Sequence, residues 1–70
     1  MEMTPVDSKN IASIGYDYEM ATLRIEFLKG GTYDYYQVPA ELYEGIMSAS
    51  SKGQYLDLYV KKAGYTYSPV

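Results

Sequence analysis

The clearest pattern in the chain is a strict alternation. Leu23, Ile25 and Phe27 are apolar, while Thr22, Arg24 and Glu26 between them are polar or charged. A period of two places one set on each side of an extended strand. Upstream, Ile11 to Tyr18 reads as another strand, with Ala12, Ile14, Tyr16 and Tyr18 on one face and Ser13, Gly15 and Asp17 on the other. Glu19-Met20 supplies the turn between them. Downstream, Lys29-Gly30-Gly31 offers glycines that accept the positive φ of a tight hairpin. Thr32 to Val38 then reads as a third strand, with Tyr33 and Tyr35 on one face and Thr32, Asp34, Tyr36 and Val38 on the other. Residues 1–8 form a polar lead, and residues 9–70 form a single domain.

The period changes at Pro39. Proline suits the first position of a helix, where its missing N–H costs nothing, and Glu41 complements the helix dipole. Leu42, Tyr43, Ile46 and Met47 recur at helical spacing. Gly45 weakens a helix interior by about 1 kcal/mol relative to alanine, which suggests that another backbone approaches there. Ser50-Ser51-Lys52-Gly53 interrupts this helix. Ser51 and Gln54 have the spacing of a capping box, so a second helix starts here, with Tyr55, Leu56, Tyr59 and Val60 as its apolar stripe. Gly64 terminates it, and Tyr65, Tyr67 and Pro69 form an extended tail able to pair with a sheet edge, in the same molecule or a neighbour. The expected fold is α+β: a three-stranded antiparallel meander followed by two short helices and an extended C-terminal tail.

Composition narrows what such a domain can do. A chain of 70 residues buries only about 60% of its unfolded surface and is marginal alone. It has no cysteine and no histidine, which removes disulfides, thiolate metal sites and the commonest general acid–base group. The missing stability must come from close packing or from self-association. Nine carboxylates against six Lys and Arg give a net charge of −3, unlike the basic face of most nucleic-acid binders. No apolar run approaches the roughly 20 residues of a membrane span, and Met1-Glu2-Met3-Thr4-Pro5 does not resemble a signal peptide, so a cytoplasmic location is expected. Ten tyrosines accompany a single phenylalanine; tyrosine suits core edges, interfaces and stacking surfaces.

Two constellations could carry binding chemistry. Ser50, Ser51, Lys52 and Gly53, if they open a helix, combine free N–H groups with a hydroxyl, a charge and room for close approach, which is the recipe for an anion site; the plainer reading is an ordinary capped turn. Tyr55 is grouped with them. Tyr33, Tyr35 and Tyr36 could stack bases, with Arg24 on the neighbouring strand pairing a phosphate. The alternation instead favours Tyr33 and Tyr35 as core under the helices and leaves Tyr36 as the free ring. Lys61 and Lys62 complement a helix C-terminus and, with Lys52, extend a small basic edge. The carboxylate pairs Asp17 with Glu19 and Glu41 with Glu44 lack the density of oxygens that a hard cation needs. No cofactor or metal is expected, and no catalytic group stands out.

The ordered residues Val6-x-Ser8-x-Asn10-Ile11, Gly15-Tyr16-Asp17, Leu23-x-Ile25-x-Phe27, Gly31-x-Tyr33-x-Tyr35, Val38-Pro39 and Ala49-x-Ser51-x-Gly53-x-Tyr55 resemble the KTSC domain over roughly residues 6 to 67. Tyr33-Asp34-Tyr35 matches the central Tyr-x-Tyr signature. Lys9 stands where a second small polar residue is expected, and Leu56-Asp57 where an aromatic-Asn pair is more usual. The family is known as the C-terminal segment of some lysyl-tRNA synthetases and as a stand-alone protein of bacteria and their phages. The resemblance implies the α+β fold and, through the synthetase context, RNA binding. Taken with the acidic balance, the expectation is a non-catalytic module for nucleic acid or a small phosphorylated nucleotide; a stand-alone copy could sequester a signalling nucleotide in a pocket formed by a homo-oligomer. The alternative is a protein-interaction or self-assembling module with no small-molecule ligand.

Overall fold

The computed structural model describes residues 1–70. Strands β1 (Met3–Pro5), β2 (Ile11–Asp17), β3 (Thr22–Phe27), β4 (Thr32–Tyr35) and β5 (Tyr67–Pro69) form one antiparallel sheet in chain order. Between β4 and β5 come helix α1 (Ala40–Ser48) and helix α2 (Lys52–Leu56), which continues as a π turn over Asp57–Lys61. The α+β class and the central meander are as expected, but the sheet has five strands, not three. The two additional strands have three residues each, too few to show an alternation. Met3–Pro5, within the polar lead, pairs with β2, and the C-terminal tail pairs with β4 of its own molecule. Both edge strands are short and end in proline, which removes ladder donors at each margin.

Register sets the core. Ile14 stands opposite Ile25, and Ile25 opposite Tyr33; one pleat along, Tyr16 faces Leu23 and Leu23 faces Tyr35. These rows point to the helices, where Val38, Ile46, Leu56 and Val60 close the cluster. The pairing of β2 with β3 slips between Ile11 and Ser13. This bulge reverses the parity of the strand, so Ile11 and Ile14 are both buried and Ala12, expected on the Ile14 face, is only partly so.

Strand β4 stops at Tyr35, short of the expected Val38. Gln37 adopts φ 57°, a left-handed conformation that turns the chain off the sheet. Val38 is thereby carried from the outward face into the core, where its carbonyl accepts the Tyr16 hydroxyl. The tyrosine ring also stacks on Tyr43 of α1, with centroids 5.1 Å apart. Gly30 and Gly31 take the positive φ expected of the hairpin, and Gly64 does the same beyond the second helix.

The helices depart from expectation in three details. Pro39 is the N-cap of α1, one position before the helix proper. Ser51 caps α2 by position, but its side chain makes no cap hydrogen bond, so the capping box does not form. Gly45 makes room for a side chain rather than a backbone: a Cβ there would overlap the hydroxyl and ring of Tyr55. Tyr55 therefore locks α2 onto α1.

Gly45→Ala tests this contact. Intrinsic propensity alone would favour the alanine, but the crowding of Tyr55 reverses the sign. Chemical denaturation of the variant is expected to show a loss of about 1–3 kcal/mol, against the gain of about 1 kcal/mol that an open helix would give.

Alkaline pH tests the core tyrosines. Burial, followed by the neighbouring Tyr18 and Asp17, raises the pKa of Tyr16; burial, followed by Tyr67, Tyr33 and Asp57, raises that of Tyr35. Tyrosines of the unfolded chain ionise near 10. Above that pH the unfolded state releases protons that the fold retains, so stability falls as pH rises. Denaturation midpoints should decline above about pH 10, and Tyr35→Phe should make the decline shallower.

Candidate functional site

A groove runs along the side of the molecule where the β3–β4 hairpin meets the second helix. Its aromatic end, ≈ 470 Å³, is lined by Phe27, Tyr33, Tyr35 and Tyr67, with Lys29 and Lys61 beside them. Pairing of β4 with β5 places Tyr67 opposite Tyr35 on the helix-facing side of the sheet. The ring centroid of Tyr67 lies 6.0 Å from Tyr33 and 5.6 Å from Tyr35. Tyr35 is buried as the floor, whereas Tyr67 is 62% exposed.

The middle of the groove, ≈ 510 Å³, shares Phe27, Lys29 and Lys61 with the aromatic end. The third part, ≈ 570 Å³, is wholly polar. It lies between the loop before β2 and the junction of the two helices, and it shares Lys9, Asn10, Gly53 and Asp57 with the middle. Ser8 Oγ accepts hydrogen bonds from the N–H groups of Asn10 and Ile11, both at 3.3 Å, which shapes that loop. The Asn10 amide nitrogen would sit 3.3 Å from a Cβ at Gly53, so glycine lets the loop approach the helix closely.

Charge is distributed unevenly. Lys9, Lys29, Lys52 and Lys61 line the three parts, four of the chain's six basic residues, with Asp7 and Asp57 as the only carboxylates among nine. An acidic protein thus carries a groove of formal charge +2. Lys52 is partly engaged, since its Nζ donates to the carbonyl of Ala49 at 3.1 Å. Lys61 Nζ lies 3.5 Å from Asp57 Oδ1 and 5.0 Å from the centroid of the Phe27 ring.

The sequence candidates divide among four places. Ser50, Ser51, Lys52 and Gly53 line the polar end, and Tyr33 and Tyr35 line the aromatic end. Arg24 and Tyr36 lie on the opposite face of the sheet, so Tyr36 and the start of α2 do not share a cleft. There Arg24 Nε meets Asp34 Oδ1 at 2.7 Å and Nη2 meets Oδ2 at 3.0 Å, a two-point pair between neighbouring strands. The Asp34 hydrogen bond raises the already high pKa of the guanidinium, against a smaller lowering from burial. The Tyr36 hydroxyl is hydrogen-bonded to Ser68 Oγ. Tyr55 packs on Gly45 and lies 4.5 Å, centroid to centroid, from Tyr59.

Lys9, Phe27 and Lys29 were not among the sequence candidates, and Tyr67 was one only for the alternative protein-interaction reading. The four come from the loop before β2, the hairpin and the tail, and no local pattern connects them. The tail's Tyr65-x-Tyr67 alternation was the one available signal. No group of three or more Asp or Glu residues is arranged to hold a metal ion, and no helix is long and apolar enough to cross a membrane.

Comparison with known proteins places this architecture. A protein of Tsukamurella paurometabola is 39% identical over 59 residues, covering 84% of this chain and 88% of its own. A protein of Stutzerimonas stutzeri is 33% identical over 67 residues, covering 96% and 94%. A lysine–tRNA ligase of Nostoc punctiforme matches over 51 residues at 37% identity, covering 73% of this chain but only 9% of the ligase. The crystal structure of a KTSC domain protein from Yersinia pestis superimposes with a TM-score of 0.93 at 38% identity, covering 99% of this chain and 96% of that one. The KTSC domain profile matches residues 7–67, and the chain belongs to the KTSC domain family.

Proposed function

We propose that this protein is a non-catalytic module that binds a nucleotide unit, free or within a short single strand, in the groove between the β3–β4 hairpin and the second helix. The observation that carries the reading is the aromatic end, where Phe27, Tyr33 and Tyr67 are flanked by Lys29 and Lys61. A base has a π face and a nearby negative charge, and rings beside ammonium groups meet both. Stacking a base on an aromatic side chain contributes about 1–3 kcal/mol and tolerates any sequence.

The remainder of the groove supports the same reading. Lys9 and Lys52, with the hydroxyls of Ser50 and Ser51, continue a polar path away from the rings. A phosphate chain leaving a stacked base would follow it. Local concentration of lysines offsets the acidic balance of the whole chain, because interactions between exposed charges are screened beyond about 8 Å at physiological salt. The non-catalytic part of the proposal rests on the chemistry of this lining: hydroxyls, lysines and amides, with no histidine or thiol to move a proton or attack a bond.

Titration with a nucleoside monophosphate and with a hexanucleotide in RNA and DNA form, followed by NMR, tests the reading and separates its two sources. Saturable shifts are expected at Phe27, Tyr33, Lys61 and Tyr67. Tyr67→Ala should weaken binding about tenfold. Lys29→Ala should weaken it and make the salt dependence shallower, by about 0.7 in log–log slope for a strand. Arg24→Ala and Tyr36→Phe should change affinity less than about twofold, the range of groups outside a site. Absence of saturable shifts with every probe, or equal losses in the Arg24 variant, would sink the proposal.

A further inference from the structure

Lys61 occupies a particular place in the groove. It borders both the aromatic end and the middle, while Asp57, one helical turn earlier, borders both the middle and the polar end. The ion pair between them therefore lies across the junction of the three parts. Lys61 also covers the face of Phe27 at 5.0 Å, in the range of a cation–π contact. In the free protein one face of the ring shared by the aromatic end and the middle is thus covered, and the cation beside it already has a carboxylate partner.

We propose that Asp57, Lys61 and Phe27 form a latch that a ligand phosphate opens. This inference rests on the nucleotide-binding reading of the same groove. A phosphate reaching the middle of the groove presents Lys61 with a second anionic partner. Lys61 exchanges the Asp57 carboxylate for the phosphate and swings off Phe27, and the exposed ring face takes the base. The exchange is easy because both partners of the pair are well exposed, at 45% and 59%, and such pairs are weak. The backbone that presents them is a π turn, in which the N–H of Lys62 reaches the carbonyl of Asp57 at 3.0 Å; such turns recur at functional sites. Asp57 is in this account a built-in competitor. It keeps the groove closed to weak anions and limits affinity for the ligand itself.

Asp57→Asn is nearly isosteric and removes only the competing charge. Binding of the hexanucleotide and of the monophosphate should tighten about two- to fivefold, the factor that an exposed ion pair is worth. The gain should disappear in a Lys61→Met background, because Asp57 acts through Lys61. Phe27 is the only phenylalanine, so its ring resonances report directly. On saturation of the wild type they should shift, and the Lys61 ε-methylene signals should move from ring-shielded positions toward those of free lysine. An equal gain from Asp57→Asn with and without Lys61 would make Asp57 a mere repulsive charge and overturn the latch. So would no gain, or Lys61 signals that stay in place at saturation. In those cases wild-type binding survives and only the latch fails, whereas a wild type that binds neither probe overturns the latch and the underlying reading together.

Discussion

Ile14, Ile25 and Tyr33 stand side by side across three strands, and Tyr16, Leu23 and Tyr35 do so one pleat further on. These two rows form most of the sheet's contribution to the core. Moving one strand by a single residue would turn its apolar set to solvent, and no disulfide is present to compensate. The bulge near Ala12 is part of the same constraint. It adds the one residue needed to bring Ile11 to the buried side of a strand whose remaining apolar positions are out of phase with it.

The same register divides the chemistry of the molecule. The outward row runs from Gly15 through Arg24 and Asp34 to Ser68, and it is satisfied internally by the Arg24–Asp34 pair and by Ser68 with Tyr36. The two inward rows carry Tyr33 and Tyr67, and both rings line the groove at the margin of the core. A polar residue on this sheet is therefore a structural partner, and an aromatic one at the margin of the core is the better candidate for contact with another molecule. This reverses the intuition that an arginine on a strand marks a phosphate site.

Much of the fold could be read from local pattern. The alternation from Thr22 to Phe27, the glycine pair at 30 and 31, the change of period at Pro39 and the stop at Gly64 each express the geometry of one element within a few residues. The misreadings share a cause. Strands β1 and β5 are too short to carry a pattern of their own and are defined by their pairing with β2 and β4, and Gln37 and the bulge alter parity in ways that side-chain chemistry does not announce. The candidate site was half visible. Ser50 to Gly53 and the Tyr33/Tyr35 pair were found as separate clusters, but the groove that joins them depends on Lys9, Lys29, Lys61 and Tyr67. Those four residues span nearly the whole chain and meet only through the tertiary fold.

Short, proline-ended margins have a further consequence. With Pro5 ending one edge strand and Pro69 the other, each margin offers fewer ladder donors to a strand from another chain. The groove lies between the hairpin and the second helix, and Tyr67 of the C-terminal edge strand forms part of its wall. Edges of this kind discourage strand addition by a neighbouring chain, which suits a small sheet that must keep its own register beside other proteins.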